Sequence, residues 1–193
     1  MLTAKTATSL LVAWLLLWEA DVLKLGLKQE LRAASIPYLE YFRSIATEEL
    51  DGLSKLASLC ADSIGIQVIT LLGMLLMHST DAFILHTTIY FVFLFERAIK
   101  LMIQDPRPFV LVASIEPASC RDIEFASPSG HSMVSTASFL ALVKLWCDTK
   151  RISGFKRFLC YSGTATMIAA VIFSRAFSGV HSFAQLLSGF VCG

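Results

Sequence analysis

The sequence predicts an all-α protein whose helices form a multi-span transmembrane bundle. Hydrophobic residues make up 55% of its 193 residues and charged residues 16%, and the mean hydropathy is +0.67. A soluble domain has a smaller apolar share and a larger charged share. No internal repeat is visible, and the 10 glycines and 5 prolines are too sparse to mark a linker. The chain is therefore expected to fold as one helical body in a membrane.

Apolar stretches recur along the chain at a spacing that suits membrane helices. They lie near residues 8–27, 58–77, 83–103, 130–147 and 157–173, and a sixth begins at Ser182. A spanning helix needs about 20 residues. The last stretch, from Ser182 to Gly193, would form about 18 Å of helix against a core of about 30 Å. We therefore expect a six-helix core whose last helix is incomplete and a sequence that is part of a longer protein.

The first 57 residues are expected to form a separate N-terminal region, followed by the membrane domain at residues 58–193. Within the stretch at 8–27, the apolar run that begins at Leu10 resembles a signal-peptide core, but Glu19, Asp21 and Lys24 come where a small-residue cleavage site would be. An uncleaved first helix is the favoured interpretation. Residues 28–57 mix polar and apolar side chains, which suits one or two amphipathic helices at the interface or a solvated connector.

Basic residues in a short connector indicate the orientation of the bundle. Residues 147–157 contain four of them: Lys150, Arg151, Lys156 and Arg157. Such a loop is expected on the cytoplasmic side. Alternating crossings then place three polar segments, at residues 100–108, 128–131 and 174–181, together on the opposite face. Residues 28–57 would share that face although they carry further basic residues, which opposes this orientation.

The three polar segments carry residues suited to binding an anion. The segment KLMIQDPRP contains Lys100 near a helix end and Arg107 beyond a proline that disfavours further helix. In SPSGH, Ser129 and Gly130 are expected at a helix N-terminus, where backbone N–H groups favour an anion. His131 follows on the first turn. The segment SRAFSGVH adds two more candidates, Arg175 and His181.

This set of residues suits the binding and cleavage of a phosphate ester. Arginine forks match phosphate oxygens and lysine supplies a point charge, so Lys100, Arg107 and Arg175 could hold the equatorial oxygens. One neutral histidine could attack phosphorus while a protonated one gives its proton to the leaving alcohol. Taken singly, Lys100 would more often snorkel or pair with Glu96, and either histidine would more often be structural. Asp62 could face this site or make a polar contact between helices.

The same segments resemble the signature of the type 2 phosphatidic acid phosphatase superfamily, with the pattern K-x6-RP, PSGH and SR-x5-H-x3-D. Every position matches except the last, where Gln185 replaces aspartate. The resemblance implies a six-helix core with an extracytoplasmic site. It also implies His181 as the nucleophile and His131 as the acid. The phosphate cradle that it implies consists of Lys100, Arg107, Ser129, Gly130 and Arg175.

Gln185 leaves the activity and the substrate open. An aspartate at this position would accept a hydrogen bond from the nucleophilic histidine, whereas a glutamine carbonyl can orient the ring but supplies no charge. Glucose-6-phosphatases and dolichyl diphosphatases of this superfamily are similar in carrying glutamine there. The candidates are a phosphatase acting on a lipid phosphate, a prenyl diphosphate or a sugar phosphate, and a non-catalytic phosphate-binding membrane protein.

Partners and location follow from the same features. We expect membrane lipids and a phosphorylated lipid or sugar phosphate as partners, and no nucleic acid. The five cysteines show no metal-ligand spacing, and the histidine scheme needs no metal, so neither a cofactor nor a metal is expected. The endoplasmic reticulum with a lumenal site is the expected location, and the plasma membrane is the alternative.

Overall fold

The structure is a computed structural model that describes residues 27–118 and 124–193. These residues form α-helices and no strand, which confirms the predicted fold class. The helices are α1 (Leu27–Ser44), α2 (Glu48–Leu59), α3 (Ser63–Leu76), α4 (Ser79–Ile103), α5 (Pro108–Leu111), α6 (Gly130–Thr149), α7 (Gly154–Phe177) and α8 (Phe183–Cys192). The predicted first helix at residues 8–27 lies, apart from Leu27, outside the described residues.

Within residues 27–118 and 124–193, two stretches of helix are long and apolar enough to cross a membrane. They are Ser79–Leu111, which joins α4 and α5, and Gly154–Phe177, which is α7. The helices α2 and α3 would form a third span if taken together, although they meet at an angle of 43°. The apolar stretch at 58–77 is therefore not one helix. Its α3 portion of 14 residues is about 21 Å long, which is too short to span alone.

Helix α6 lies at the centre of the bundle. It packs against α4, α7 and α8, and most of its first ten side chains are buried. Its buried hydroxyls are tolerated inside the protein because they bond to the helix's own backbone: Ser135 and Thr136 both donate to the carbonyl oxygen of Ser132. At the far end of the bundle, Thr149 donates a hydrogen bond to Asp81 at 2.5 Å, so the start of α4 lies beside the end of α6.

The last helix approaches α6 closely because Gly189 has no side chain. A Cβ at this position would lie 2.4 Å from the carbonyl oxygen of Ser129 and 2.9 Å from Cβ of Ser132. Both atoms belong to the start of α6, so a larger residue would push α8 away from it. This contact fixes the segment before α8 relative to the first turn of α6.

Residues 27–59 form two helices rather than a solvated connector, and both pack against the rest of the bundle. The Arg43 guanidinium binds the Asp51 carboxylate at 2.7 Å and the carbonyl oxygen of Glu116 at 2.7 Å. The buried Ser54 donates to the carbonyl oxygen of Ser174 at 3.0 Å. The boundary predicted at residues 57/58 falls inside α2, so this part of the N-terminal region is continuous with the bundle.

Candidate active site

A polar cavity of about 160 Å³ lies at one end of the bundle. It forms where the end of α4, the start of α6 and the connection after α7 meet. Six of the eight predicted site residues line it: Lys100, Arg107, Gly130, His131, Arg175 and His181. Ser129 and Gln185 are fully buried in the structure that supports it. The three segments that the sequence placed on one face therefore do meet there.

His181 lies in the turn between α7 and α8 and is 1% exposed. Its Nε2 atom is 3.5 Å from Nη1 of Arg107. A guanidinium can only donate, so the lone pair of the imidazole faces it at Nε2. Burial lowers the pKa of His181 well below its ordinary value, and the charges of Arg107, Arg175 and Lys100 act in the same direction. The imidazole is therefore neutral at neutral pH, as a nucleophile requires.

Arg107 is held by the backbone of two different loops. Its Nε donates to the carbonyl oxygen of Glu124 at 2.8 Å, and its Nη1 donates to the carbonyl oxygen of Val180 at 3.2 Å. It stands at the N-cap of α5, because α4 ends at Ile103 before the predicted break at Pro106. Two fixed contacts orient a planar group, so the guanidinium is preorganised beside His181.

The start of α6 is at Gly130, as the sequence predicted. The N–H of Ser129 is bonded to the carbonyl oxygen of Gln185 at 3.0 Å, which ties this turn to α8. The first N–H groups beyond it have no acceptor within their own helix and can meet an anion. A Cβ at Gly130 would lie 2.5 Å from Oε1 of Glu96, so a larger residue would displace the Glu96 carboxylate from its place beside Lys100. The glycine brings the α6 backbone up against the Glu96–Lys100 pair.

His131 projects into the cavity from the first turn of α6. Its Nε2 is 2.6 Å from Oδ1 of Asp62, which lies in the break between α2 and α3. The sequence left open whether Asp62 faces the site or makes a polar contact between helices, and in the structure it does both. The two histidines thus enter the cavity from different elements, His131 from α6 and His181 from the turn before α8.

Acidic residues that the sequence analysis did not assign also line the cavity. Glu96 is 3% exposed and binds Nζ of Lys100 at 2.5 Å, the one-turn pair that was weighed for Lys100. Glu124 binds Arg97 and lies 3.5 Å from Nζ of Lys100. Its hydrogen bond to Arg97 holds the pKa of Glu124 below its usual value. Helical spacing from Lys100 would have pointed to Glu96 and Arg97, whereas Glu124 lies in a loop with no such signal.

Gln185 does not orient His181, contrary to the expectation for a residue one turn away. Its Oε1 accepts from the N–H of Ser182 at 2.9 Å, and its Nε2 donates to Oδ2 of Asp105 at 2.8 Å and to the carbonyl oxygen of Pro106 at 3.0 Å. The Nδ1 atom of His181 is buried without a hydrogen bond in the described part of the chain. Gln185 therefore supports the site by joining α8 to the loop that carries Arg107.

Asp105, which accepts the hydrogen bond from Gln185, is also bound by basic residues of α1. Its carboxylate forms an ion pair with Arg32 of α1, and Nζ of Lys28 is 4.0 Å away. The carboxylate is nearly buried, with a side-chain exposure of 8%. Because the site loop already contains a paired aspartate, a glutamine at position 185 can donate to it where a second aspartate could not.

We expect Gln185→Glu to destabilise the protein by about 2–4 kcal/mol, because it removes two donated hydrogen bonds and buries a second carboxylate beside Asp105. The measurement is thermal unfolding in detergent at pH 7.5. The exposed Gln29 on α1 provides a matched control, and Gln29→Glu should leave the midpoint unchanged. Equal midpoints for wild type and Gln185→Glu would show that the Gln185–Asp105 contact contributes nothing.

Comparisons with known proteins agree with this geometry. A solved transmembrane PAP2-type phosphatidylglycerolphosphate phosphatase from Bacillus subtilis has the same fold, with a TM-score of 0.76 and 18% sequence identity. The match covers 94% of this chain and 87% of that one. A search of curated proteins finds no match. The family model of the PAP2 superfamily matches residues 81–193, which hold eight of the cavity's polar side chains and all three motifs. The chain belongs to the PAP2 superfamily.

Proposed function

We propose that the protein is an integral membrane phosphatase that releases phosphate from a phosphomonoester or diphosphate, most readily a lipid phosphate, through a phosphohistidine. The observation that carries this proposal is the position of the neutral His181, whose Nε2 is 3.5 Å from the Arg107 guanidinium in a cavity lined by cations. A nucleophile beside fixed positive charge suits the transfer of a phosphoryl group.

Each residue has a defined part in the proposed reaction. The Nε2 lone pair of His181 attacks phosphorus, and the bond from phosphorus to the leaving oxygen breaks. His131 gives its proton to that oxygen, so the product leaves as an alcohol. Lys100, Arg107 and Arg175, with the N–H groups at Gly130, neutralise the charge on the equatorial oxygens. Neutral His131 then takes a proton from water, which attacks the phosphohistidine and releases inorganic phosphate.

An apolar groove beside the site favours a lipid as the substrate. It has a volume of about 630 Å³, in the usual range for a ligand site, and lies between α3, α6 and α7. Cys60 lines the groove, and the next two residues, Ala61 and Asp62, line the polar cavity. A substrate with its phosphate among the cations could extend a hydrocarbon chain past this point into the groove.

The proposed location follows from the ends of the helices. The cavity lies at the end of the bundle opposite the basic connector after α6, whose Lys150, Arg151, Lys156 and Arg157 favour the cytoplasmic side. The site would then face the extracytoplasmic side, which is the lumen if the protein resides in the endoplasmic reticulum. A protease-protection assay with tags on this connector in microsomes tests this placement.

A second candidate is a sugar phosphatase of the glucose-6-phosphatase type. Three carboxylates, Asp62, Glu96 and Glu124, line the cavity together with the cations. Carboxylates accept hydrogen bonds from hydroxyl groups, so a polyhydroxylated substrate has acceptors close to the phosphate cradle. The glutamine at position 185 is the feature that resembles those enzymes.

Phosphate release by the purified protein in detergent with a metal chelator tests these functions. The substrates are phosphatidate, a sphingoid phosphate, dolichyl diphosphate and glucose 6-phosphate. We expect release to be fastest from a lipid phosphate. Faster release from glucose 6-phosphate would support the sugar phosphatase instead. If none of the four is hydrolysed while vanadate still binds, the protein is a non-catalytic phosphate binder.

We expect Gly163→Phe to slow turnover of a lipid phosphate about tenfold through a higher KM, since Gly163 lines the groove and a larger side chain would occupy it. A Cβ at Gly163 meets nothing within 4 Å, so the backbone leaves open space where the new side chain begins. Kinetics on dioctanoyl phosphatidate and on 4-nitrophenyl phosphate, which has no chain, provide the measurement. Gly52 on α2 is equally open and lies outside the groove, so Gly52→Phe is the control. Equal effects of Gly163→Phe on both substrates would contradict binding of a chain there.

A further inference from the structure

We infer that Asp62 is a positioning residue for the leaving-group acid: its carboxylate orients His131 and holds it in the charged form that donates the proton. This inference rests on the proposed phosphatase function and adds a residue outside the three motifs. Asp62 also precedes the part of the chain that the family model matches. The first observation behind this role is the contact of 2.6 Å between Oδ1 of Asp62 and Nε2 of His131.

Asp62 makes this contact in place of the capping hydrogen bond that its position at the start of α3 would ordinarily give. Asp62 is the N-cap of α3, where an aspartate usually accepts a hydrogen bond from the first turn of its own helix. Here the side chain makes no such bond and points to His131 instead. The Asp62 side chain therefore does not cap α3 but bonds to a residue of α6.

The chemistry of the pair assigns the two nitrogens of His131. A carboxylate only accepts, so the proton on Nε2 is directed to Asp62 and the transferable proton is carried by Nδ1. Lys100, Arg107 and Arg175 surround the same cavity and oppose a positive charge on the ring. The negative charge of Asp62 in contact with the ring offsets this repulsion. Arg97, Glu96, Glu124 and His181 are the other titratable groups that line the cavity.

Protonation of the leaving oxygen matters only when the leaving group is a poor one. An alkoxide leaves slowly unless it takes a proton as the bond to phosphorus breaks, whereas 4-nitrophenolate leaves without one. With the aryl ester, His131 keeps its proton when the phenolate departs and releases it to solvent before it takes one from the attacking water. Because kcat/KM reports only the steps up to release of the leaving group, this later proton loss does not enter the comparison. A residue that acts through His131 should therefore affect an alkyl phosphate and spare an aryl phosphate.

The test compares kcat/KM for dioctanoyl phosphatidate and 4-nitrophenyl phosphate in wild type, Asp62→Asn, His131→Gln and the double variant. We expect Asp62→Asn to lower kcat/KM about 10²-fold on phosphatidate and less than about 3-fold on the aryl ester. The double variant should be no slower than His131→Gln, because both residues act in one step. Asp148→Asn, in an exposed ion pair at the far end of the bundle, is the control.

The outcomes separate this inference from the proposed function. An equal loss on both substrates would show that Asp62 only stabilises the break between α2 and α3, and no loss on either would show that it is dispensable. Either result overturns the inference while wild-type turnover leaves the phosphatase standing. If wild type hydrolyses neither ester, the proposed function and this inference both fail.

Discussion

Replacing His181 with asparagine is expected to reduce metal-independent phosphate release by at least about 10⁴-fold, because no other side chain can take the place of a nucleophile. Asparagine is smaller than histidine and uncharged, so it can occupy the buried position without placing a charge there, and we expect the protein to fold. Phosphate release in detergent micelles with a chelator present measures the loss, and vanadate binding checks that the cations still form an oxyanion site.

The control for this experiment is a histidine that lies away from the site. His86 lies on α4, more than three helical turns before Lys100, and His86→Asn should retain wild-type turnover. Trapping labelled phosphate on the protein gives a second readout, since a phosphohistidine is stable in base and lost in acid. A His181→Asn protein that still turns over or still traps phosphate would place the nucleophile elsewhere.

The second large effect is expected at Arg107. We expect Arg107→Lys to lower kcat about 10²–10³-fold although the charge is kept, because an ammonium cannot bond to two loops and face His181 at the same time. The bonds at stake are those to the carbonyl oxygens of Glu124 and Val180. Steady-state kinetics on the best substrate from the panel measure the loss.

Arg157→Lys is the matched control for this substitution. Arg157 pairs with Asp148 in the connector region at the opposite end of the bundle and is 40% exposed, and an exposed pair contributes little. Turnover by Arg107→Lys within a factor of about two of wild type would show that charge alone matters at this position. The guanidinium would then have no special part in orienting the phosphoryl group.

The helical membrane fold could be predicted from the sequence because hydrophobicity and helix length are local properties. The end of α4 before Pro106 and the start of α6 at Gly130 were predicted for the same reason. The break between α2 and α3 was not predicted, and residues 58–77 were expected to form one apolar stretch. The local sequence does not show that Asp62 will bond to a histidine on another helix. The packing of residues 27–57 on the bundle also depends on distant partners, such as Ser174 and Glu116.

The candidate site shows the same division. Motif spacing alone identified Lys100, Arg107, Gly130, His131, Arg175 and His181, because each motif combines a residue type with a helix end. The roles of Asp62, Asp105 and Glu124 come from contacts between segments many residues apart. Gln185 illustrates the difference: its spacing suggested a bond to His181, but the bonds form with Asp105, Pro106 and Ser182.

The sequence by itself determined the fold class, the family resemblance and most of the residues that line the candidate site. Only the tertiary structure decided which partners these residues have. It buries His181, which lowers the pKa of that histidine, and it brings the Asp62 carboxylate into contact with His131. The physical reason is that helix formation and membrane insertion follow from short segments. Burial and hydrogen bonding at a site instead depend on atoms brought together from the whole chain.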